Sequence, residues 1–395
     1  AMWRRVADSI RLDIVGGKLL CGSDGGLFAS TNGGSDWTDV SDGLQITQFY
    51  RLGGSPTDAS MMIAGAQDNG MNLMENGGWA HVQGADGMEG AIDPQDPQTI
   101  YGESQYGGLS RSDDGGQTFN GIGWDIGEQG AWVTPFVIDP LDPQTLVAGF
   151  INVFRSNDRG DSWYPLTDLT TDETIRALAI APNDNTVIYC ANPSTFYRTL
   201  NDGNDWQDVS DGLPGNRVAA IAVDPQNAAH LFVCVGGFTE GTKVYESTDS
   251  GDSWNNISGN LPNVPVNSIV YQNGTDDGLY VGTDLGVFYT DNTYSNWQPF
   301  TTGLPAVQVM ELEIHYASGK LRAATYGRGL WETDLFVPDN TPPTASFAHS
   351  EGTICAGDAI SFADASLGAA PGWQWSFPGG TPSTSTEQNP QVTYP

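Results

Sequence analysis

Four carboxylates in the chain have the residue types and settings needed for acid–base chemistry. Asp68 lies in the string AQDNG, Asp86 and Glu89 share the segment GADGMEG, and Asp284 follows a strand-like apolar run. Hydrolysis of a glycosidic bond uses two carboxyl groups, about 5–5.5 Å apart for retention and about 6.5–9.5 Å for inversion. We therefore take Asp68, Asp86 and Glu89 as candidate catalytic residues, and Asp284 as a further possible member of such a pair.

The same aspartates also have a purely structural interpretation. Asp68 opens Asp-Asn-Gly and Asp86 opens Asp-Gly, and both are common turn sequences. In such turns the side chain bonds nearby backbone and the glycine takes a positive φ. The sequence gives no distance between the carboxyl groups, so both interpretations stay open.

A repeated motif along the chain predicts the elements that position these residues. Its pattern is Ser/Thr-x-Asp/Asn-x-Gly-x-Ser/Thr/Asp-Trp/Phe, as in Ser112-x-Asp114-x-Gly116-x-Thr118-Phe119. The copies, two of them degenerate, end at an aromatic residue about every 40–45 residues, which is the length of one four-stranded propeller blade. These aromatic residues are Trp37, Trp79, Phe119, Trp163, Trp206, Trp254 and Trp297.

Each copy of the motif is expected to stabilise a hairpin. Its Ser and Asp side chains are suited to bonding backbone amides, its glycine supplies a positive φ, and its aromatic ring packs onto the blade. We therefore assign a structural role to the residues at its acidic position, which are Asn32, Asp114, Asp158, Asn201 and Asp249.

The ends of the repeat region predict how the ring closes. Trp3, Val6 and Asp8 have the spacing of a fourth strand, while residues 308–336 supply three strands and no motif. The N-terminal strand is thus expected to complete the last blade, which gives eight blades. If blades precede this chain, the ring is different. The predicted fold is all-β, a propeller of seven to eight four-stranded blades over residues 1–337.

Propeller geometry places two kinds of loop around the mouth of the central channel, where ligands usually bind. The loops between second and third strands lie there, as do the loops that connect successive blades. Arginines at the starts of inner strands are expected to line the entrance. The predicted ligand-binding residues are Asp24, Gln67, Asn69, Tyr106, Glu128, Asp284, Tyr326, Arg328, Arg51, Arg176 and Arg217.

The charge of the chain excludes some partners. Forty-eight acidic residues against 15 basic ones give a net charge of −33. Such a surface repels phosphate backbones and anionic lipid, so we expect no nucleic-acid binding and no membrane insertion. The charge suits a secreted or cell-surface protein, which we expect to be a monomer. No signal peptide is recognisable, so the chain reads as part of a longer protein.

Cysteine and histidine spacing gives no metal motif. Cys21, Cys190 and Cys234 lie in apolar runs and are expected to be buried free thiols, and Cys355 is the fourth cysteine. We assign no metal and no cofactor. The many acidic turns leave calcium binding as an open alternative, although no segment has the spacing of an EF-hand loop. The fingerprints of P-loop, serine-hydrolase, zinc-protease and dinucleotide sites are absent.

The motif resembles the Asp-box (BNR) superfamily of sialidases, two-propeller xyloglucanases and Vps10/sortilin ectodomains. After a linker at 338–343, residues 344–395 resemble an incomplete PKD β-sandwich, on the strings Trp373-x-Trp375-Ser-Phe377-Pro-Gly-Gly380 and Asn389-Pro390-x-Val392-x-Tyr394. The strings AQDNG and ATYGRGLW look like those of large secreted Bacteroidota proteins. These are commonly labelled glycosyl hydrolase or sortilin-like, and many are exported by the type IX system.

The resemblance implies three possible functions. The first is an extracellular recognition propeller that binds glycan or protein at the channel mouth. The second is a glycoside hydrolase using Asp68, Asp86 and Glu89, and the third is a sortilin-like peptide-binding ectodomain. A sialidase would need an arginine triad, for which Arg51, Arg176 and Arg217 are available with Tyr326, but its early Arg-Ile-Pro motif is absent.

Overall fold

The structure is a computed structural model that describes residues 9–23, 26–215, 217–337, 345–349, 357, 359–364, 373–387 and 389–395. It divides into two compact units, residues 1–333 and 334–395. The described residues of the first unit form eight antiparallel sheets of three or four strands and include one short 3-10 helix, Tyr316–Ser318. The all-β prediction is confirmed.

Seven of these sheets form the blades of a ring. In each blade the strands pair in chain order, from an inner strand to an outer one. Blade I contains β5 (Phe49–Gly54), β6 (Met62–Ala66), β7 (Gly70–Glu75) and β8 (Gly78–Gln83). Blade II contains β9 (Gly87–Ile92), β10 (Ile100–Ser104), β11 (Gly108–Ser112) and β12 (Asn120–Gly121). Blade III contains β13 (Phe136–Ile138), β14 (Leu146–Gly149), β15 (Val153–Ser156) and β16 (Tyr164–Pro165).

The other four blades continue this order. Blade IV contains β17 (Ala177–Ala181), β18 (Asp184–Ala191), β19 (Phe196–Thr199) and β20 (Gln207–Asp208). Blade V contains β21 (Val218–Asp224), β22 (Asn227–Val235), β23 (Val244–Ser247) and β24 (Asn255–Asn256). Blade VI contains β25 (Val266–Gln272), β26 (Gly278–Thr283), β27 (Gly286–Thr290) and β28 (Gln298–Pro299). Blade VII has three strands among the described residues, β29 (Val309–His315), β30 (Lys320–Thr325) and β31 (Gly329–Asp334).

The hydrophobic core lies between neighbouring blades. The second strands β6, β14 and β26 are buried at every residue. Their sequences, such as LVAG in β14, are continuously apolar or small, because both faces of a blade are covered by its neighbours. The strands therefore lack the polar alternation of a sheet with one solvent-exposed face.

Seven blades, and not eight, close the ring. The Glu311 carboxylate on β29 accepts the Leu52 N–H of β5 at 2.5 Å, and Glu313 accepts the Gly54 N–H at 2.6 Å. Ala324 of blade VII packs in one core cluster with Phe49 and Leu52. Blade VII is thus the direct neighbour of blade I, which leaves no place between them for another blade. Seven lies within the predicted range of seven to eight blades, whereas the count of eight, which included residues 9–39 as a ring blade, is wrong.

The sheet that precedes blade I lies outside the ring. It contains β1 (Ser9–Val15), β2 (Lys18–Ser23), β3 (Gly26–Ser30) and β4 (Thr38–Asp39). On β1, the side chains of Leu12, Ile14 and Val15 are 57%, 74% and 58% exposed. An inner propeller strand would bury these residues against a neighbouring blade. Trp3, Val6 and Asp8, the predicted closing strand, fall outside the described residues.

The repeated motif makes the same bonds in each good copy. In blade II, the Ser112 hydroxyl accepts the Gly116 N–H at 2.8 Å, and Asp114 accepts the Thr118 N–H at 2.9 Å. Gly116 has a φ of +86°, a backbone conformation that favours glycine. The motif tryptophans also connect blades, since the Trp254 indole N–H donates to the Val209 carbonyl at 3.0 Å.

The C-terminal unit has a small sheet of β32 (Phe347–His349), β33 (Ala359–Asp364) and β36 (Gln391–Thr393). A hairpin pairs β34 (Trp375–Ser376) with β35 (Thr384–Ser385). The rings of Phe347, Phe362, Trp375 and Phe377 pack together there.

The predicted state of three cysteines is confirmed, because Cys21, Cys190 and Cys234 are buried and free. Burial raises the pKa of the Cys190 and Cys234 thiols. Cys355 lies outside the described residues. Within the described ranges, no helical segment has the length and hydropathy that a membrane span requires.

Candidate functional site

A series of hydrogen bonds among side chains and backbone N–H groups borders one part of the channel mouth. The Tyr50 hydroxyl donates to the Gln67 amide oxygen at 2.8 Å, and the Tyr326 hydroxyl of blade VII donates to the same oxygen. Asp86 accepts the Asp68 N–H at 2.7 Å. The Asp86 N–H in turn donates to the Gln105 side chain at 3.2 Å, so these contacts connect blades VII, I and II.

Two aromatic side chains extend this chain of contacts. The rings of Tyr106 and Trp132 meet edge to face, with centroids 5.2 Å apart and an interplanar angle of 83°. The Tyr106 N–H donates to the Trp132 carbonyl at 3.4 Å, and the Gly130 N–H donates back to the Tyr106 carbonyl at 3.1 Å. Tyr106 is 46% exposed and Trp132 40% exposed, so a rigid apolar surface faces solvent. We call Tyr326, Gln67, Asp68, Asp86, Gln105, Tyr106 and Trp132 the mouth arc.

The central channel holds an ion pair. The cavity, about 220 Å³, is lined by residues from the inner strands of all seven blades. The Arg51 guanidinium of blade I lies 3.3 Å from the Glu89 carboxylate of blade II and donates to the Tyr50 and Met310 carbonyls. Glu311 of blade VII lines the same cavity. Two carboxyl groups thus share a narrow space with the Arg51 guanidinium, and Arg176 lines the same cavity.

Burial controls the protonation of these carboxyl groups. It raises the pKa of Glu89 to about 7, against the opposing effect of Arg51. It also raises the pKa of Glu311, and the nearby Glu89 carboxylate raises it further. Both glutamates therefore retain protons at pH values where an exposed glutamate has lost its own. This behaviour suits either a general acid or a neutral hydrogen-bonding group.

Two other glutamates hold loops in place by accepting backbone N–H groups. Glu103 on β10 accepts those of Thr134, Gly107 and Glu89, and burial raises its pKa to about 8. Glu128 accepts the N–H groups of Ile151 and Asn152. Glu103 anchors the segment that follows Trp132, and the Glu103 side chain is therefore part of what positions the mouth arc.

The structure distributes the predicted site residues over several places. Gln67, Asp68, Asp86, Tyr106 and Tyr326 belong to the mouth arc. Arg51, Glu89 and Arg176 line the channel, and Asp284 accepts the amide N–H of the channel residue Asn267 at 3.0 Å. Asn69 and Arg328 line a groove of about 720 Å³ between blades I and VII, and Asp24 lies outside the described residues.

Two predicted groupings differ from the structure. Glu89 faces the channel with Arg51, whereas Asp86 is bonded to the Asp68 backbone in the mouth arc. The backbone of Asp68 has a φ of +57°, the conformation of a tight turn. Arg217 lies in a separate small pocket near Phe196 and Val235, so it is not grouped with Arg51 and Arg176 in the channel.

Sequence reasoning missed several residues of these sites. Tyr50, Gln105 and Trp132 carry no motif. Glu103, Glu311 and Glu313 did offer a signal, since they interrupt strands that are otherwise apolar or small. A charged side chain in a buried strand needs a partner, and such a position is a natural candidate for a functional or closing contact.

The closed ring of three- and four-stranded sheets and the repeated hairpin motif define this protein as a β-propeller. A family model described as photosynthesis system II assembly factor YCF48 matches residues 141–315. The chain is also similar to curated xyloglucanases. One from Hypocrea jecorina is 28% identical over 143 residues, covering 35% of this chain and 17% of that protein. One from Paenibacillus is 25% identical over 251 residues, covering 50% and 24%.

Solved structures share the fold. The GH74 enzyme of Niastella koreensis matches with a TM-score of 0.52 at 17% identity, covering 80% of this chain and 57% of that one. YCF48 bound to a D1 peptide matches with a TM-score of 0.56 at 12% identity, covering 76% and 95%. The chain spans a quarter or less of the length of the curated relatives it matches.

Proposed function

We propose that this propeller recognises a polysaccharide, which it binds across the mouth arc. The observation that carries the proposal is the exposed Tyr106–Trp132 pair, held edge to face beside a row of amide and carboxylate groups. Sugar rings present an apolar face and a rim of hydroxyl groups. An aromatic surface packs against the first, and carboxylate and amide groups bond the second.

Charge and channel size favour binding at the mouth by a neutral polymer. The net charge of −33 opposes polyanions, whereas a neutral glycan carries no charge to repel. The channel, at about 220 Å³, is smaller than the roughly 300–1,000 Å³ of typical ligand pockets. A polysaccharide is therefore better accommodated across the mouth than inside the channel. The similarity to proteins named xyloglucanases supports a β-glucan of that kind as the first probe.

Replacing Trp132 with alanine should weaken xyloglucan binding at least about tenfold, because the substitution removes half of the aromatic surface. Migration in native gels containing xyloglucan measures the affinity. Tyr164→Ala is the matched control, since Tyr164 is 41% exposed but lies on the outer strand β16 of blade III. Retardation that Trp132→Ala leaves unchanged would contradict the proposal. If xyloglucan does not slow the protein and an added peptide does change its migration, a peptide-binding propeller is favoured.

A glycoside hydrolase is the second candidate, and the buried glutamates of the channel favour it. Glu89 and Glu311 line one cavity, and burial raises the pKa of both, as a general acid requires. Asp68 and Asp86 remain the mouth carboxylates proposed for this alternative. The Glu311 carboxylate is already occupied by the Leu52 N–H, which is why binding is the leading proposal.

Release of reducing ends from xyloglucan distinguishes the two candidates. If the protein only recognises xyloglucan, it should bind the polysaccharide and release no reducing ends. If it is a hydrolase, it should release reducing ends, and Glu89→Gln or Asp86→Asn should abolish this release while the variant still migrates slowly in xyloglucan gels. Asp208→Asn serves as the control for Asp86→Asn, because Asp208 is exposed on the outer strand β20 of blade IV.

We propose that the protein acts outside the cell, where its acidic surface keeps it soluble. We propose residues 344–395 as a PKD-like spacer, and the short antiparallel strands and aromatic cluster of its described part support this.

A further inference from the structure

A histidine and two aspartates from neighbouring blades converge at the end of the ring opposite the mouth arc. Asp224 ends β21 and His230 lies on β22, both in blade V, and Asp277 precedes β26 in blade VI. The His230 Nδ1 atom is 3.4 Å from an Asp224 oxygen and 3.8 Å from an Asp277 oxygen. One potential ligand atom from each residue lies within 4.8 Å of the others.

These distances fit metal ligands better than hydrogen bonds. An N–H···O bond in a protein usually spans about 2.7–3.2 Å, so 3.4 and 3.8 Å are long for direct bonding. Ligand atoms about 2.1 Å from a tetrahedral zinc ion are about 3.4 Å from one another. The 3.4 Å separation of His230 and Asp224 equals such an edge, and the wider separations, up to 4.8 Å, require the ligands to close around the ion.

The surroundings orient these side chains in the way that metal ligands are usually oriented. The His230 Nε2 atom lies 3.1 Å from a Glu246 oxygen, so an Nε2–H bonded to Glu246 leaves the Nδ1 lone pair directed at the aspartates. The second oxygen of Asp224 accepts the Gln226 N–H at 2.8 Å. Tyr271 and Asn292 donate to Asp277, at 3.0 and 2.8 Å.

We propose that Asp224, His230 and Asp277 bind a first-row divalent cation of the zinc type. One imidazole nitrogen and two carboxylates suit such an ion, whereas calcium and magnesium prefer oxygen ligands alone. Three protein ligands leave a fourth position for water. The ion would join blades V and VI, and Glu246 would act through His230 as a positioning residue.

Zinc titration of chelator-treated, desalted protein tests the site. Isothermal calorimetry in excess calcium and salt suppresses weak binding to the acidic surface. We expect one equivalent of zinc, with affinity reduced at least about 100-fold by Asp224→Asn or Asp277→Asn and about 10–100-fold by Glu246→Gln. Asp276→Asn is the matched control, because this neighbouring aspartate is outside the three ligands and should leave the affinity unchanged.

Cobalt provides a second readout of the same ligands. Co²⁺ in a four-coordinate site should give a visible absorption band that Asp277→Asn removes and Asp276→Asn retains, with circular dichroism showing that both variants are folded. Saturable zinc binding that is lost in the two aspartate variants supports the proposal. Two results overturn it: no saturable zinc binding, or several weak equivalents that the variants leave unchanged. Either is expected if His230 is an imidazolium held by its carboxylate neighbours.

Discussion

Substitution of Gly65 by alanine should prevent folding or lower the free energy of unfolding by at least about 3 kcal/mol. Gly65 lies on β6 of blade I, where the blade meets β9 of blade II. A Cβ atom there would stand 2.0 Å from the Met88 carbonyl oxygen and 2.5 Å from the Gly87 carbonyl carbon. These are backbone atoms, so relief requires movement of the strand and not of a side chain.

Gly84→Ala is the control for this substitution. A Cβ atom at Gly84 would meet nothing within 4 Å, and its φ is not positive, so the change should alter stability by no more than about 0.5 kcal/mol. Denaturant unfolding followed by tryptophan fluorescence gives both values. Equal stability of the two variants would mean that blades I and II do not approach as closely as the structure shows.

The free energy of unfolding should fall as the pH rises from about 5 to 8, in part because of Glu103. This carboxyl group ionises near pH 4.5 in an unfolded chain, but burial raises its pKa to about 8 in the fold. The folded protein therefore binds more protons between these values, and rising pH favours unfolding. At about 1.4 kcal/mol per pKa unit, the contribution is on the order of 3 kcal/mol.

Glu103→Gln should flatten this pH dependence, because glutamine does not titrate. The variant should also be destabilised at low pH, since its amide NH2 faces backbone N–H groups, whereas the hydroxyl oxygen of a protonated Glu103 still accepts one. Glu128→Gln is the matched control, as Glu128 also accepts backbone N–H groups but is only partly buried. Urea unfolding midpoints across this pH range give the slopes. A Glu103→Gln slope equal to that of the wild type would show that Glu103 is ionised in the fold.

The repeated motif made the blade architecture predictable from sequence. Ser112, Asp114 and Gly116 make their hydrogen bonds within one hairpin, so the spacing of these residues can be recognised in the sequence without knowing the rest of the fold. Ring closure was not predictable in this way. The sheet at residues 9–39 has the same motif as a ring blade, while the choice of neighbour depends on contacts between Glu311 and Leu52, 259 positions apart.

The candidate site was predictable in part, for a related physical reason. Asp68, Asp86 and Tyr106 lie in turns whose Gly and Asn residues are visible in the sequence, so the mouth loops were found. Which of them meet was not visible, because Asp86 reaches both Asp68 and Gln105 through the twist of adjacent blades. The Arg51–Glu89 pair likewise depends on two strands from different blades facing one channel.

Hydrogen–deuterium exchange with and without xyloglucan tests most directly whether the mouth arc is the binding surface. The backbone amides of residues 67–69, 84–86, 105–107 and 129–132 should be protected by the polysaccharide, and Trp132→Ala should abolish the protection. Protection confined to another surface, such as the groove between blades I and VII, would contradict the account, as would no protection at saturating polysaccharide.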